Sequence, residues 1–166
     1  MTRVSYTKSL DALLTPLGFR REKSFWNRIR GDIREQVQLQ KSSFGSGVTI
    51  NIWIMDLVTE GILQSIPSDS PVATSQLIVR IGRLIDGRDI WWKNNPDGPA
   101  EVVAAVRDYG LPWLERAWTL EQQSETWFGG RRRAPWRGDY LAAQAVTLFR
   151  MGHLDEAIAL FEGPPR

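Results

Sequence analysis

The chain has no cysteine and a single histidine, His153. Disulfides, thiolate metal sites and cysteine nucleophiles are therefore excluded, and one histidine does not complete the usual zinc ligand sets. No apolar run approaches the roughly 18 residues that span a bilayer, and the opening MTRVSYTKSL lacks the apolar core of a signal peptide. A cytoplasmic protein with no membrane partner is expected. The phosphate-loop pattern G-x-x-x-x-G-K, the dinucleotide pattern G-x-G-x-x-G and the nucleophile pattern G-x-S-x-G are all absent, so no cofactor, metal or catalytic residue is expected. A single charge sign is missing as well: the formal net charge is +2, which is weak electrostatic pull on a polyanion.

What the 166 residues do contain is arginine (17 of 21 cations), eight tryptophans and well-patterned strands. The length suffices for one ordinary core. Tyr6, Leu10, Leu13, Leu14 and Leu17 recur at helical spacing, and Gly18 supplies a stop. Three runs with a period of two follow. Ser24–Arg30 alternates Phe25, Asn27 and Ile29 with Trp26, Arg28 and Arg30. In Glu35–Gln40, Val37 and Leu39 alternate with Gln36, Gln38 and Gln40, and in Thr49–Ile54, Ile50, Ile52 and Ile54 alternate with Thr49, Asn51 and Trp53. A three-residue connection Gly31-Asp32-Ile33 puts Phe25 opposite Leu39 and Ile29 opposite Glu35, with Trp26 opposite Gln38 and Arg28 opposite Gln36. A turn centred on Phe44-Gly45 pairs Leu39 with Ile50 and Val37 with Ile52, and also Gln40 with Thr49, Gln38 with Asn51 and Gln36 with Trp53. The expected inner face is Phe25, Ile29, Val37, Leu39, Ile50, Ile52 and Ile54. The other face collects Trp26, Arg28, Gln36, Gln38, Gln40, Thr49, Asn51 and Trp53.

Further along, Asp56–Ser75 reads as a long connection with one helical turn at Ile62–Ser65, and Leu77–Leu84 as a fourth strand. Phe19–Glu22 is a possible fifth. Pro99 opens a helix ended by Gly110, and Pro112 opens another carrying Trp113, Leu114, Ala117 and Trp118. The expected fold class is α+β: an antiparallel meander of four to five strands packed on helices, then a C-terminal helical hairpin. Residues 1–125 form the α+β domain, 126–138 an Arg-rich linker, and 139–166 the hairpin.

Gly18-Phe19, Phe25, Arg28, Gln40-Lys41-Ser42, Trp91-Trp92 and Tyr109-Gly110-Leu111-Pro112-Trp113-Leu114 occur together in this order. The set resembles the bacterial domain-of-unknown-function family numbered 4304, over about residues 5 to 120. The resemblance implies an α+β bacterial domain without assigned activity, and it carries no catalytic residues. Ala145, Leu148, Gly152, Ala157, Leu160 and Phe161 resemble one tetratricopeptide repeat. A single repeat does not make a peptide-binding solenoid, so a docked helical hairpin is expected, with a truncated array as the alternative.

The functional expectation is a non-enzymatic binding or interaction module for a protein or small ligand. Its contact surface would be the polar-aromatic face: Trp26, Arg28, Gln36, Gln38, Gln40, Asn51 and Trp53. Flat rings beside amide and guanidinium donors suit a ligand; an ordinary solvated outer face accounts for the same pattern. A nucleic-acid-binding protein using Arg131, Arg132, Arg133, Trp136 and Arg137 together with the sheet face is the alternative, against a solvated linker. An enzyme with a dispersed, motif-free site is a third. Trp91-Trp92-Lys93 suits a ring pocket for a cation or sugar, or a ring pair split between core and rim. Asp86 and Asp89 fit a turn, and His153 a structural role in a helix-Gly-helix turn.

Overall fold

A computed structural model describes residues 5–43, 45, 47–66, 75–93, 95–129 and 137–162, without the side chains of 127–129, 137–140 and 161–162. The chain divides into two compact units, one built from residues 1–54 and 78–116 and the other from 55–77 and 117–166.

The first unit holds most of an antiparallel sheet. Its strands are β1 (Arg20–Glu22), β2 (Phe25–Arg30), β3 (Ile33–Lys41), β4 (Gly47–Asp56), β5 (Gln76–Arg80) and β6 (Trp92–Lys93). The last two residues of β4 and the first two of β5 count with the second unit. They lie in the order β1-β2-β3-β4-β5, with β6 also paired to β4. The expected meander is present, and its fifth strand is the short β1. Helix α1 (Tyr6–Leu14) buries Leu10 and Leu14, and a 3₁₀ turn then ends at Gly18 with φ 87°. Val37, Leu39, Ile50, Ile52 and Ile54 are all buried, as their alternation predicts.

The β2–β3 register differs from expectation by one residue. Arg30 pairs with Ile33, so Gly31-Asp32 is a two-residue turn, and Trp26 faces Val37 while Phe25 faces Gln38. Gly31 has φ 57°, and Asp32 has no positive φ; glycine at the first central position is the type II′ requirement, whose twist suits a tight hairpin. A shift of one residue exchanges the faces of a strand. Trp26 is consequently 0% exposed in the core, where its Nε1 donates to Asp11 Oδ1 on α1 at 2.9 Å. Ile29, expected inside, is 59% exposed. Phe25 is half-buried on the outer face.

The inner face tolerates Arg28 and Arg30 because Glu35 meets them. Glu35 is 0% exposed; Arg28 Nε donates to its Oε2 and Arg30 Nε to its Oε1, both at 2.6 Å. Arg28 also donates through Nη1 to Leu17 O and places its guanidinium 4.4 Å from the Phe19 ring centre. Its Nη2 is buried without a hydrogen-bond partner among the described residues.

Leu77–Leu84 is not one strand. β5 stops at Arg80, and α3 (Ile81–Ile85) takes over. A Cβ on Gly82 would lie 2.5 Å from Arg88 O and 2.7 Å from Ile90 N, so glycine lets the segment after α3 return against it. Helix α4 (Gly98–Ala105) continues through a π-helical turn, Val106–Gly110, into α5 (Leu111–Leu114). Gly110 in the family-like motif packs where a Cβ would meet Ile52 Cδ1 at 2.6 Å, and Leu111, Trp113 and Leu114 beside it are buried. The expected helix through Trp118 ends earlier, at Leu114. Arg30 Nη2 donates to Leu114 O at 2.8 Å, which satisfies one carbonyl of that helix end.

In the second unit, α2 (Leu57–Ser65) is a full helix where a single turn was expected. Asp56 caps it, its Oδ1 accepting from Thr59 N at 2.8 Å. With it lie α6 (Leu120–Gly129), α7 (Arg137–Arg150) and α8 (Leu154–Glu162). The last two form the C-terminal helical hairpin, packed through Ala145, Leu148, Ala157 and Leu160. Gly152, at φ 83°, is left-handed; His153 N–H donates to Leu148 O and Gly152 N–H to Phe149 O, a Schellman end for α7. No helix among the described residues is long and apolar enough to cross a membrane.

Candidate functional site

The outer sheet face has two chemically distinct ends. Toward β5 it is closed by the chain itself. Asn51 Nδ2 donates to Gln38 Oε1 (2.9 Å) and Gln40 Oε1 (2.7 Å), and Arg80 Nε donates to Asn51 Oδ1 at 3.3 Å. Thr49 Oγ1 donates to Ile90 O at 2.8 Å. Arg80 in turn is paired with Asp89 at 2.5 Å and packs 5.3 Å from the Trp91 ring centre. Both amide hydrogens of Asn51 and its carbonyl are used internally, and Asn51 and Thr49 are buried. The amide ladder therefore fastens the strands together.

Toward β1 the same face is open. A groove of about 920 Å³ runs over β1, β2, β3 and the end of β4, within the size range of ligand clefts. Its floor holds Phe25 and Trp53, edge to face with ring centres 6.4 Å apart. Trp53 Nε1 is buried without a hydrogen-bond partner among the described residues. Gln36 Nε2 donates to Asn27 Oδ1 at 2.6 Å, and the exposed Ile29 lies one row further on. Arg20, Lys23 and Arg34 also line the groove, and none has an ion-pair partner among the described residues. Arg21 reaches Asp11 at 3.4 Å. The one acid lining the groove among the described residues is Glu22. Lys23 is the one described non-glycine residue with positive φ, 54°, a conformation that costs roughly 1–2 kcal/mol for a residue with a Cβ.

Of the seven residues expected on a polar-aromatic surface, Gln36, Gln38, Gln40, Asn51 and Trp53 share the outer face. Trp26 and Arg28 do not: the two-residue turn carries both to the inner face, where Trp26 is core and Arg28 is held by Glu35, although Arg28 still lines the groove. Phe25, Asn27, Ile29, Arg20, Lys23 and Arg34 take their place. The signal that would have found them is the Gly31-Asp32 pair, since glycine at the first of two turn positions specifies a II′ hairpin. Arg131, Arg132, Arg133 and Trp136 lie outside the described residues; Arg137 begins α7.

A second polar cluster, in the other unit, centres on Asp56. Arg150 Nη1 donates to its Oδ1 at 2.6 Å and to Thr59 Oγ1 at 2.7 Å, and Gln123 Nε2 donates to Oδ2 at 3.2 Å. Burial alone would push this carboxyl up. The Thr59 amide, Gln123 and Arg150 outweigh it and hold Asp56 below the usual carboxylate range. Donors from its own chain occupy both oxygens, so Asp56 is a fastening. His153 Nδ1 lies 2.9 Å from Glu156 Oε1 at the start of α8, exposed. No group of three His, Cys, Asp or Glu among the described residues is placed to hold a metal ion.

Against known proteins, a family model described as Domain of unknown function (DUF4304) matches residues 10–116, which span the sheet and the whole groove. No curated protein and no solved structure matches the chain.

Proposed function

The chain belongs to the family described as Domain of unknown function (DUF4304), and from that premise we propose that it is a non-enzymatic binding module whose contact surface is the open end of the outer sheet face. The observation that carries this reading is the contrast between the two ends of one face. At the β5 end every polar group of Asn51 is consumed internally. At the β1 end two aromatic rings, an exposed isoleucine and three cations without ion-pair partners among the described residues face a groove. Apolar area left uncovered beside polar groups is typical of contact surfaces.

The test compares the wild-type chain with Phe25→Ala and Arg34→Glu variants, each verified as folded by thermal unfolding. The chains are immobilised and exposed to cell extract, and retained proteins, nucleic acids and small molecules are identified. Components held by the wild type and lost from both variants support the reading. The same retained set on all three chains overturns it.

A further inference from the structure

We propose that the open end of the sheet face binds single-stranded nucleic acid, with phosphates on Arg20, Lys23 and Arg34 and a base against Phe25 and Trp53. This rests on the binding-face reading and names its ligand class.

The cations are spread out. Arg20 stands on β1 opposite Asn27, and Arg34 stands on β3 opposite Ile29. At about 4.8 Å per strand and one row of offset, their Cα atoms are roughly 12 Å apart. Lys23 extends the line at the β1–β2 turn. Three cations that converged on a point would suit a single anion; a spread of this kind suits a chain of phosphates. The residues from 20 to 34 include six Lys or Arg and two Asp or Glu. The two unit-one segments together carry fifteen cations against ten acids, although the whole chain is nearly balanced.

Between the cations lie groups that a purely acidic ligand would leave unused. The Phe25–Trp53 pair gives a sequence-tolerant surface for a base. Because Gln36 donates to Asn27 Oδ1, the Asn27 amide nitrogen and the Gln36 carbonyl remain as an adjacent donor and acceptor. That pair matches the edge of an unpaired base. A duplex would hide these edges and faces, and an acidic peptide would engage the charges without needing the rings.

The probe is a fluorescently labelled twelve-residue oligothymidylate, titrated with the full chain and followed by anisotropy at 50 and 200 mM salt. A labelled twelve-residue polyglutamate is measured in parallel. With three phosphate contacts at about 0.7 each, log affinity should fall with log salt at a slope near −2, or roughly fifteenfold over this range. Arg34→Gln should make the slope shallower by about 0.7. Phe25→Ala should weaken binding about tenfold or more at both salt concentrations while leaving the slope unchanged. Polyglutamate should bind at least tenfold more weakly than the oligonucleotide.

Equal binding of polyglutamate and oligonucleotide, both weakened by Arg34→Gln, overturns the nucleic-acid inference and leaves the binding face standing. Oligonucleotide binding that ignores both face variants but is lost in Arg131→Gln/Arg132→Gln/Arg133→Gln overturns this site in favour of that segment. No binding at 50 mM salt overturns the inference, and the extract comparison then judges the binding-face reading separately.

Discussion

Glu35 shows how one residue can reverse the apparent polarity of a strand. Its carboxylate is fully enclosed and accepts from Arg28 and Arg30. The Arg28 side chain is 14% exposed and that of Arg30 44%, so the Arg28 half carries most of the energetic weight and the Arg30 half is screened by water. Replacing Glu35 by Gln leaves the enclosed Arg28 cation without its counter-charge. Glu35→Gln should destabilise the protein by about 3 kcal/mol, read from the urea midpoint. Asp108→Asn, which breaks an exposed Arg107–Asp108 pair, should leave the midpoint where it is. The neighbouring rings give a second contrast. Trp26→Ala removes a side chain that is 0% exposed and should cost about 3–5 kcal/mol, whereas Ile29→Ala on the open face should change stability by no more than about 0.5 kcal/mol. Equal losses for Trp26 and Ile29 would contradict the observed register.

At the scale of elements, β3 and β4 were legible because their two faces differ without ambiguity: Val37, Leu39, Ile50, Ile52 and Ile54 against Gln36, Gln38, Gln40 and Asn51. In β2 both alternating sets contain an aromatic ring and a polar residue, Phe25 with Asn27 and Trp26 with Arg28. Hydrophobic pattern alone could not choose between them, and an ion pair that makes arginine compatible with the core is invisible to it. Leu77–Leu84 misled for a different reason. Its β-branched run extends past Arg80, but Gly82 meets backbone from residues 88 and 90, a tertiary demand with no local trace. Helix α2 depends on its cap, and the cap depends on pH. The Asp56 carboxyl is held below the usual range in the folded chain and has an ordinary value, near 3.9, in the unfolded one. Above about pH 5 both forms are ionised and the stabilisation is complete. As pH falls below that value the unfolded chain takes up the proton first, and the contribution declines until the folded carboxyl is protonated too. Urea midpoints between pH 2.5 and 6 should therefore fall on the acid side for the wild type and fall less for Asp56→Asn. Parallel acid limbs would remove Asp56 from the account.

For the whole molecule, the family-matched segment and the compact units do not coincide. The match ends at residue 116, yet residues 55–77 within it belong to the unit completed by residues 117–166. Asp56, Thr59 and Leu63 are buried there, and Gln123 and Arg150 supply the hydrogen-bond partners of Asp56 and Thr59. A chain truncated to residues 1–116 should bind a dye specific for exposed apolar surface and should show α2 amides exchanging rapidly with solvent, while the full chain does neither. A truncated chain that behaves like the full one would mean that α2 needs nothing beyond residue 116. The positions of the candidate face were only half legible in the sequence for a related reason. The amide ladder was visible as a pattern, but which end of it the chain itself would close depended on where the segment after α3 came to lie.

The bond from Arg150 to Thr59 joins residues 91 positions apart in the sequence. On the ribosome this distance becomes a delay. At about 5–20 residues per second, α2 leaves the exit tunnel roughly 5–20 seconds before the arginine that fastens it. For that interval the nascent chain carries Leu63 and the Asp56 carboxylate uncovered, and it is then that a chaperone or a protease has its best opportunity to bind.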